Sequence, residues 1–350
     1  RTSRGGSAAT LNALQQQPDY AFKTRVFWVV SRTNDCQYCL GHQELKLRRA
    51  GMTDNQIAAL DVQWDLFPAA EQAAMRAARK LTIAPQRFGA SDLQDLRNSF
   101  DDAKSIDLLY TIARYNAVNR WTSATGIPQD TAFGGEEHTE LATPTADEWS
   151  SRESTVAPVD VESRPAWESA EIVAERLQAA RTRQSPVSLP SVETASVLLA
   201  KDTPGVIPPQ WFRAISGLSV AVDAWAQRQA LIRDGKTPLQ LRLMIAWITS
   251  RENRAWYSAG HARARLLANG FPEDKLYSFE SLLEAAPEEH RSALKFARLL
   301  TSHPQQVGDT DVAELRKHFS DHEVAEIIHL TADANAFDRL TESLQLQLEF

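Results

Sequence analysis

The sequence predicts an all-α protein built as two tandem helical bundles. Three observations carry that prediction: a long internal repeat, apolar residues at helical rather than strand spacing, and helix start and stop signals recurring at matched places. Ser31-Arg32-Thr33-Asn34-Asp35-Cys36-Gln37-Tyr38-Cys39-Leu40-Gly41-His42 aligns with Ser250-Arg251-Glu252-Asn253-Arg254-Ala255-Trp256-Tyr257-Ser258-Ala259-Gly260-His261 at an offset of 219 residues. The same offset pairs Trp28 with Trp247, Gly51 with Gly270, Pro68 with Pro287, Pro85 with Pro304, Gly89 with Gly308, Phe100 with Phe319, Asn116 with Asn335 and Arg120 with Arg339. Register held without a gap over this length reads as duplication.

Within the first copy, Val26 to Val30 alternates briefly like a strand but reads as a buried helix leading into the cysteine segment. Asn34 or Asp35 is the expected cap of a helix that starts near Cys36, passes Leu40 and Leu47, carries Lys46, Arg48 and Arg49 at its negative end and stops at Gly51. Thr53 with Gln56 forms a capping-box pattern for a short helix. Further helices are expected from Glu71 to Ile83, from Ser91 to Phe100 and from Ala103 to Ala124, the last ending before Gly126. The second copy has an additional upstream part, with helical patterns from Trp167 to Arg183 and from Trp211 to Asp234. The expected organisation is a unit over 1–128, an acidic linker or strap over 129–165 rich in Glu, Asp, Thr, Ser and Pro, and a second unit over 166–350.

Composition narrows the function classes. A chain of 350 residues with 43% hydrophobic and 24% charged residues suits two globular units, each with its own core. The net charge of −7 opposes binding to a nucleic-acid backbone, which needs concentrated Lys and Arg. No apolar run approaches the ~20 residues of a membrane-crossing helix. The start at Arg1, without Met, reads as a processed or truncated end, and the cytoplasm is the expected compartment.

The two cysteines, Cys36 and Cys39, are too few for a disulfide scaffold, and their spacing suggests redox or metal chemistry. A thiolate in the first turn of a helix is stabilised by the dipole and by free backbone N–H groups. Residues three apart share a helix face, so this pair can close and reopen a disulfide. His42, three beyond Cys39, lies near enough for proton exchange with that thiol, or is held structurally by a buried partner. Covalent haem needs His at position 40, where Leu40 stands, and zinc needs more ligands than Cys36, Cys39 and His42 provide. No phosphate-binding Gly loop, Gly-x-Ser-x-Gly elbow or zincin motif is present. No cofactor and no metal are expected.

Cys36-Gln37-Tyr38-Cys39-Leu40-Gly41-His42, followed by Gly51, by Asn116-Ala117-Val118-Asn119-Arg120 and by Gly126-Ile127-Pro128, resembles the signature of the carboxymuconolactone decarboxylase/alkylhydroperoxidase D superfamily. The resemblance implies an all-α bundle that forms homo-oligomers, with the fused pair standing in for a dimer. It also implies a thiol-dependent peroxidase or thiol–disulfide oxidoreductase, in which Cys39 attacks a hydroperoxide, Cys36 resolves the product to a disulfide and an external dithiol reduces it again. His42 is three residues after the second cysteine where the family's His is four, a rotation of about 100° on a helix. At the position of the family's relay Glu stands Thr24, and Glu44 is a substitute candidate. The second copy has Ala255 and Ser258 in place of the thiols and cannot do dithiol chemistry. Two other readings stand beside the peroxidase: cofactor-free decarboxylation of a small organic acid, and a non-catalytic assembly module of a larger polypeptide. Arg120, Arg339, Asn116 and Asn335 are expected to tie helices together, and Tyr38 and Tyr257 to serve core or interface.

Overall fold

The computed structural model describes residues 18–129, 154–156, 158–159, 166–200 and 203–350, and these are all helix, 3-10 turn and connection, without a strand. Most of the expected 129–165 linker lies outside the described residues. In the part that is described, the Thr155 backbone N–H donates to the Val62 carbonyl (2.8 Å) and Val156 is buried, so this short piece straps the first unit.

The first unit contains α1 (Pro18–Thr33), α2 (Gln37–Arg49), α3 (Asp54–Val62), α4 (Ala69–Ile83), α5 (Ala90–Arg97) and the long α6 (Asp102–Thr125). Next come α7 (Ala170–Arg181), α8 (Val192–Leu199), α9 (Gln210–Ile215) and α10 (Ala221–Arg233). The chain ends with α11 (Leu239–Glu252), α12 (Trp256–Ala268), α13 (Phe279–Ala285), α14 (Glu288–Ser302), α15 (Asp309–Arg316) and α16 (Asp321–Ser343). Adding 219 to the bounds of α2, α4 and α5 gives the bounds of α12, α14 and α15. Backbone detail recurs at the same spacing: Asp35 and Arg254 are both left-handed (φ 53° and 50°), as are Gly51 and Gly270 (φ 88° and 77°).

Local chemistry sets these boundaries. Thr53 and Gln56 complete their capping box, Asp101 caps α6 through the Lys104 N–H, and Asp92 reaches back to the Gly89 N–H, which starts α5 at Ala90 instead of Ser91. The pattern from Trp211 to Asp234 is two helices, because the chain breaks between Ile215 and Ala221 around Gly217, where glycine weakens a helix. Val26 to Val30 is helical, as its context indicated.

The two long helices, α6 and α16, form the most extensive helix pair among the described residues. Arg114 and Asp333, 219 residues apart, meet across this pair at 3.4 Å. On either side of that point, Arg120 Nη2 donates to the Thr301 carbonyl and Arg339 Nη2 to the Thr82 carbonyl, both at 3.1 Å. Both guanidiniums are almost fully buried; burial lowers Arg120 well below the arginine range and Arg339 to about 10. The first unit's core continues through Ala332, Ala336 and Leu340 of α16 into Trp211, Phe212 and Trp225 of α9 and α10. No helix among the described residues is long and apolar enough to cross a membrane.

Candidate redox site

The turn between α1 and α2 places the thiols. Asp35 is left-handed, the Cys36 N–H closes back onto the Ser31 carbonyl (2.9 Å), and Cys36 becomes the N-cap of α2. The expected caps are therefore corrected. Asp35 belongs to the reversal, and Asn34 points inward, donating to Asn116 Oδ1 (3.1 Å) and Asn119 Oδ1 (3.0 Å) on α6. That inward network outcompetes capping because Asn116 and Asn119 are fully buried, and a buried amide oxygen left without a donor is costly.

Cys36 Sγ accepts the Cys39 backbone N–H (3.4 Å), and Thr122 Oγ1 on α6 lies 3.2 Å from Cys36 Sγ and 3.1 Å from Cys39 Sγ. Both cysteines are free thiols and each is 2% exposed. The hydrogen bond from Cys39, supported by Thr122, lowers Cys36 from its ordinary 9.0 to about 6 against the cost of burial. Cys39 is driven strongly the other way by the same hydrogen bond, by burial and by the Cys36 charge. The Cys39 N–H converges on the N-cap sulfur, which makes Cys36 the more acidic of the two thiols in direction, whereas the family resemblance implies attack by Cys39. Burial pulls the Lys46 ammonium below its ordinary range.

His42 stacks on Tyr38 (ring centroids 4.4 Å apart), with Nδ1 3.0 Å from the Tyr38 carbonyl and 3.4 Å from Gln129 Nε2. Gly41 is explained by the same neighbour: a Cβ there would collide with the Gln129 side chain, as one at Gly260 would with Leu348. Thr24 bonds its own helix at the Tyr20 carbonyl, and Glu44 is buried between the Trp28 indole (3.2 Å) and Arg48 (3.6 Å). Thr122 was not singled out from the sequence. Its signal is there, since Thr341 recurs 219 residues later and lies 3.2 Å from Ser258, which replaces Cys39.

The turn into α12 shows a similar arrangement around different residues. Asn253 donates to Asn335 (3.1 Å) and to Asp338 (2.8 Å), which stands where the first unit has Asn119. Buried Glu342 accepts the Tyr257 N–H (3.5 Å) and pairs with Arg183 (2.9 Å), so a carboxylate faces the start of α12 as the thiolate faces α2. Tyr257 Oη donates to Glu349 (2.8 Å), whose other oxygen is 3.1 Å from His261 Nε2. Among the described residues no cluster of His, Cys, Asp and Glu is arranged to hold a metal.

Residues 25–80 match the model of the carboxymuconolactone decarboxylase family. The chain is also similar to the uncharacterized protein YdfG of Bacillus subtilis (strain 168), 27% identical over 100 residues that span 28% of this chain and 68% of that protein. The match covers α2 and its thiols, and the family includes decarboxylases and alkylhydroperoxidases, so an enzyme of either kind is consistent with it.

Proposed function

We propose that the chain is a fused pair of duplicated units whose first copy is a dithiol–disulfide centre of the thiol-peroxidase type. The observation that carries this reading is the placement of both thiols on one hydroxyl at a helix N-terminus. A thiolate attacks the outer oxygen of a hydroperoxide; an S–O bond forms, the O–O bond breaks, and the alkoxide leaves as an alcohol on taking up a proton. The other sulfur then attacks the sulfenic acid, the S–S bond forms and water leaves. Two electrons pass from the dithiol to the peroxide, and an external dithiol returns them. Attack by Cys39, the role the family resemblance implies, requires its proton to pass first to Cys36. Attack by Cys36 requires no such transfer. His42 is the candidate for proton exchange with the solvent side, and no metal or organic cofactor takes part in these steps.

Burial of both sulfurs favours small peroxides and also supports the second reading, a non-catalytic assembly module that retains inert thiols. Stopped-flow oxidation of the reduced protein by hydrogen peroxide separates the two. The peroxidase reading expects sulfenic acid trapped in one single-cysteine variant and loss of both thiols in the native chain, faster than for free cysteine. Thiols reacting no faster than free cysteine refute it.

A further inference from the structure

The second unit contains a cavity where the first carries its cysteines. Ser258, in the place of Cys39, lines it with Asp338, His261, Arg228, Arg242 and Arg265. It offers about 60 Å³ to small molecules. At roughly 10–15 Å³ of such space per water, that suits about four to six non-hydrogen atoms. Leu243, Ala246 and Leu330 supply apolar wall between the polar groups.

The charges of this cavity do not cancel. Arg228 is matched by Asp333 at 2.8 Å. Arg242, 8% exposed, reaches the Thr237 carbonyl and lies 3.9 Å from Glu326, but its buried Nε has no hydrogen-bond partner. Arg265 is exposed at the cavity mouth and has no acidic partner among the described residues. Asp338 is the remaining acid, and burial raises it to about 7, so at neutral pH it offsets the cations in part. The first unit also keeps a cation at this position, Lys46, beside its thiols. A small cavity with surplus guanidinium, one hydroxyl and a hydrocarbon wall is complementary to an anion with a short apolar tail.

We propose that this cavity binds a short-chain carboxylate of about two to four carbon atoms, its carboxylate on Arg265 and its tail against Leu243 and Ala246. Inorganic oxyanions satisfy the charge and leave the apolar wall without a partner. The site does not depend on the dithiol.

Calorimetric titration of the full reduced chain with propionate tests the proposal, with sulfate and chloride as competing probes. Saturable binding at one site per chain is expected, stronger than for either inorganic ion. Arg265→Gln, at an exposed position, weakens it about tenfold or more, as loss of one charge-assisted hydrogen bond does. Ala262→Leu, which fills the cavity, abolishes it. The Cys36→Ser/Cys39→Ser variant binds propionate unchanged, which separates this outcome from that of the redox reading. Absence of saturation, equal binding by sulfate, or undiminished binding in Arg265→Gln overturns the proposal. Where Ala262→Leu does not fold, Arg265→Gln decides.

Discussion

Replacing Thr122 with Val removes the hydroxyl beside both sulfurs and leaves the side-chain shape nearly unchanged. Cys36 stands at about 6 against an ordinary 9.0. At neutral pH the first value corresponds to about 90% thiolate and the second to about 1%. A hydrogen bond to a charged group contributes roughly 1.5–3 kcal/mol, and 1.36 kcal/mol moves a pKa by one unit, so full loss would raise Cys36 by about one to two units. The hydroxyl also donates to the Val118 carbonyl (3.0 Å) of its own helix, which competes for its single proton and keeps the shift near the lower end, about one unit. Thiolate absorbance in the ultraviolet, followed against pH, reads this directly. The native chain is expected to titrate near 6, Thr122→Val about one unit higher, and Cys36→Ser to lose the acidic transition. Cys39→Ser, whose hydroxyl still donates, keeps it. An unmoved midpoint in Thr122→Val refutes the contribution of its hydroxyl, and an acidic transition that disappears with Cys39 and survives loss of Cys36 refutes the assignment of charge.

Other consequences follow from the same contacts. The depressed Cys36 pKa stabilises the fold fully above the unfolded value of 9.0, and that contribution is lost as pH falls through about 6. Unfolding free energies of the native chain minus those of Cys36→Ser, from denaturant titration, should therefore rise across this window, by up to about 1 kcal/mol per pH unit. Asp338 acts in the opposite direction below about 7 and cancels in the difference. Arg120→Lys and Arg339→Lys should each cost about 1–3 kcal/mol in denaturant unfolding, because lysine keeps the charge and loses the reach to the opposite unit's carbonyl. Gly260→Ala should destabilise by about 1–3 kcal/mol despite better helix propensity, since the new methyl displaces buried Leu348. Gly41→Ala should cost less by the same thermal-melt comparison, because the Gln129 side chain can swing aside.

The helices were legible in the sequence wherever caps and periodicity agreed, as at Thr53–Gln56 and in α6. The N-cap of α2 was not, because Asn34 and Asp35 are both good caps by residue type and only tertiary contacts decide between them. Asn34 is drawn into α6, Asp35 turns left-handed, and the cap passes to the sulfur of Cys36. The thiol pair was readable from spacing, but the hydroxyl that lies against both sulfurs comes from Thr122, more than eighty residues away in sequence. A threonine on a long helix carries no local mark of such a role; its recurrence as Thr341 does. The second unit's buried Asp338 and Glu342 were likewise hidden, because an acid in a helical pattern ordinarily reads as a solvated face. Their positions match Asn119 and Ser123 of the first unit, so comparison of the two copies in register exposes them.

The central claim is that Cys36 and Cys39 work as one two-electron centre. Intact-mass analysis of the reduced chain after brief exposure to hydrogen peroxide tests it most directly. A loss of two hydrogens, localised to a Cys36–Cys39 disulfide and reversed by an external dithiol, is the expected result. A chain that stays fully reduced where free cysteine is oxidised, or that accumulates irreversibly oxidised cysteine without the disulfide, contradicts it.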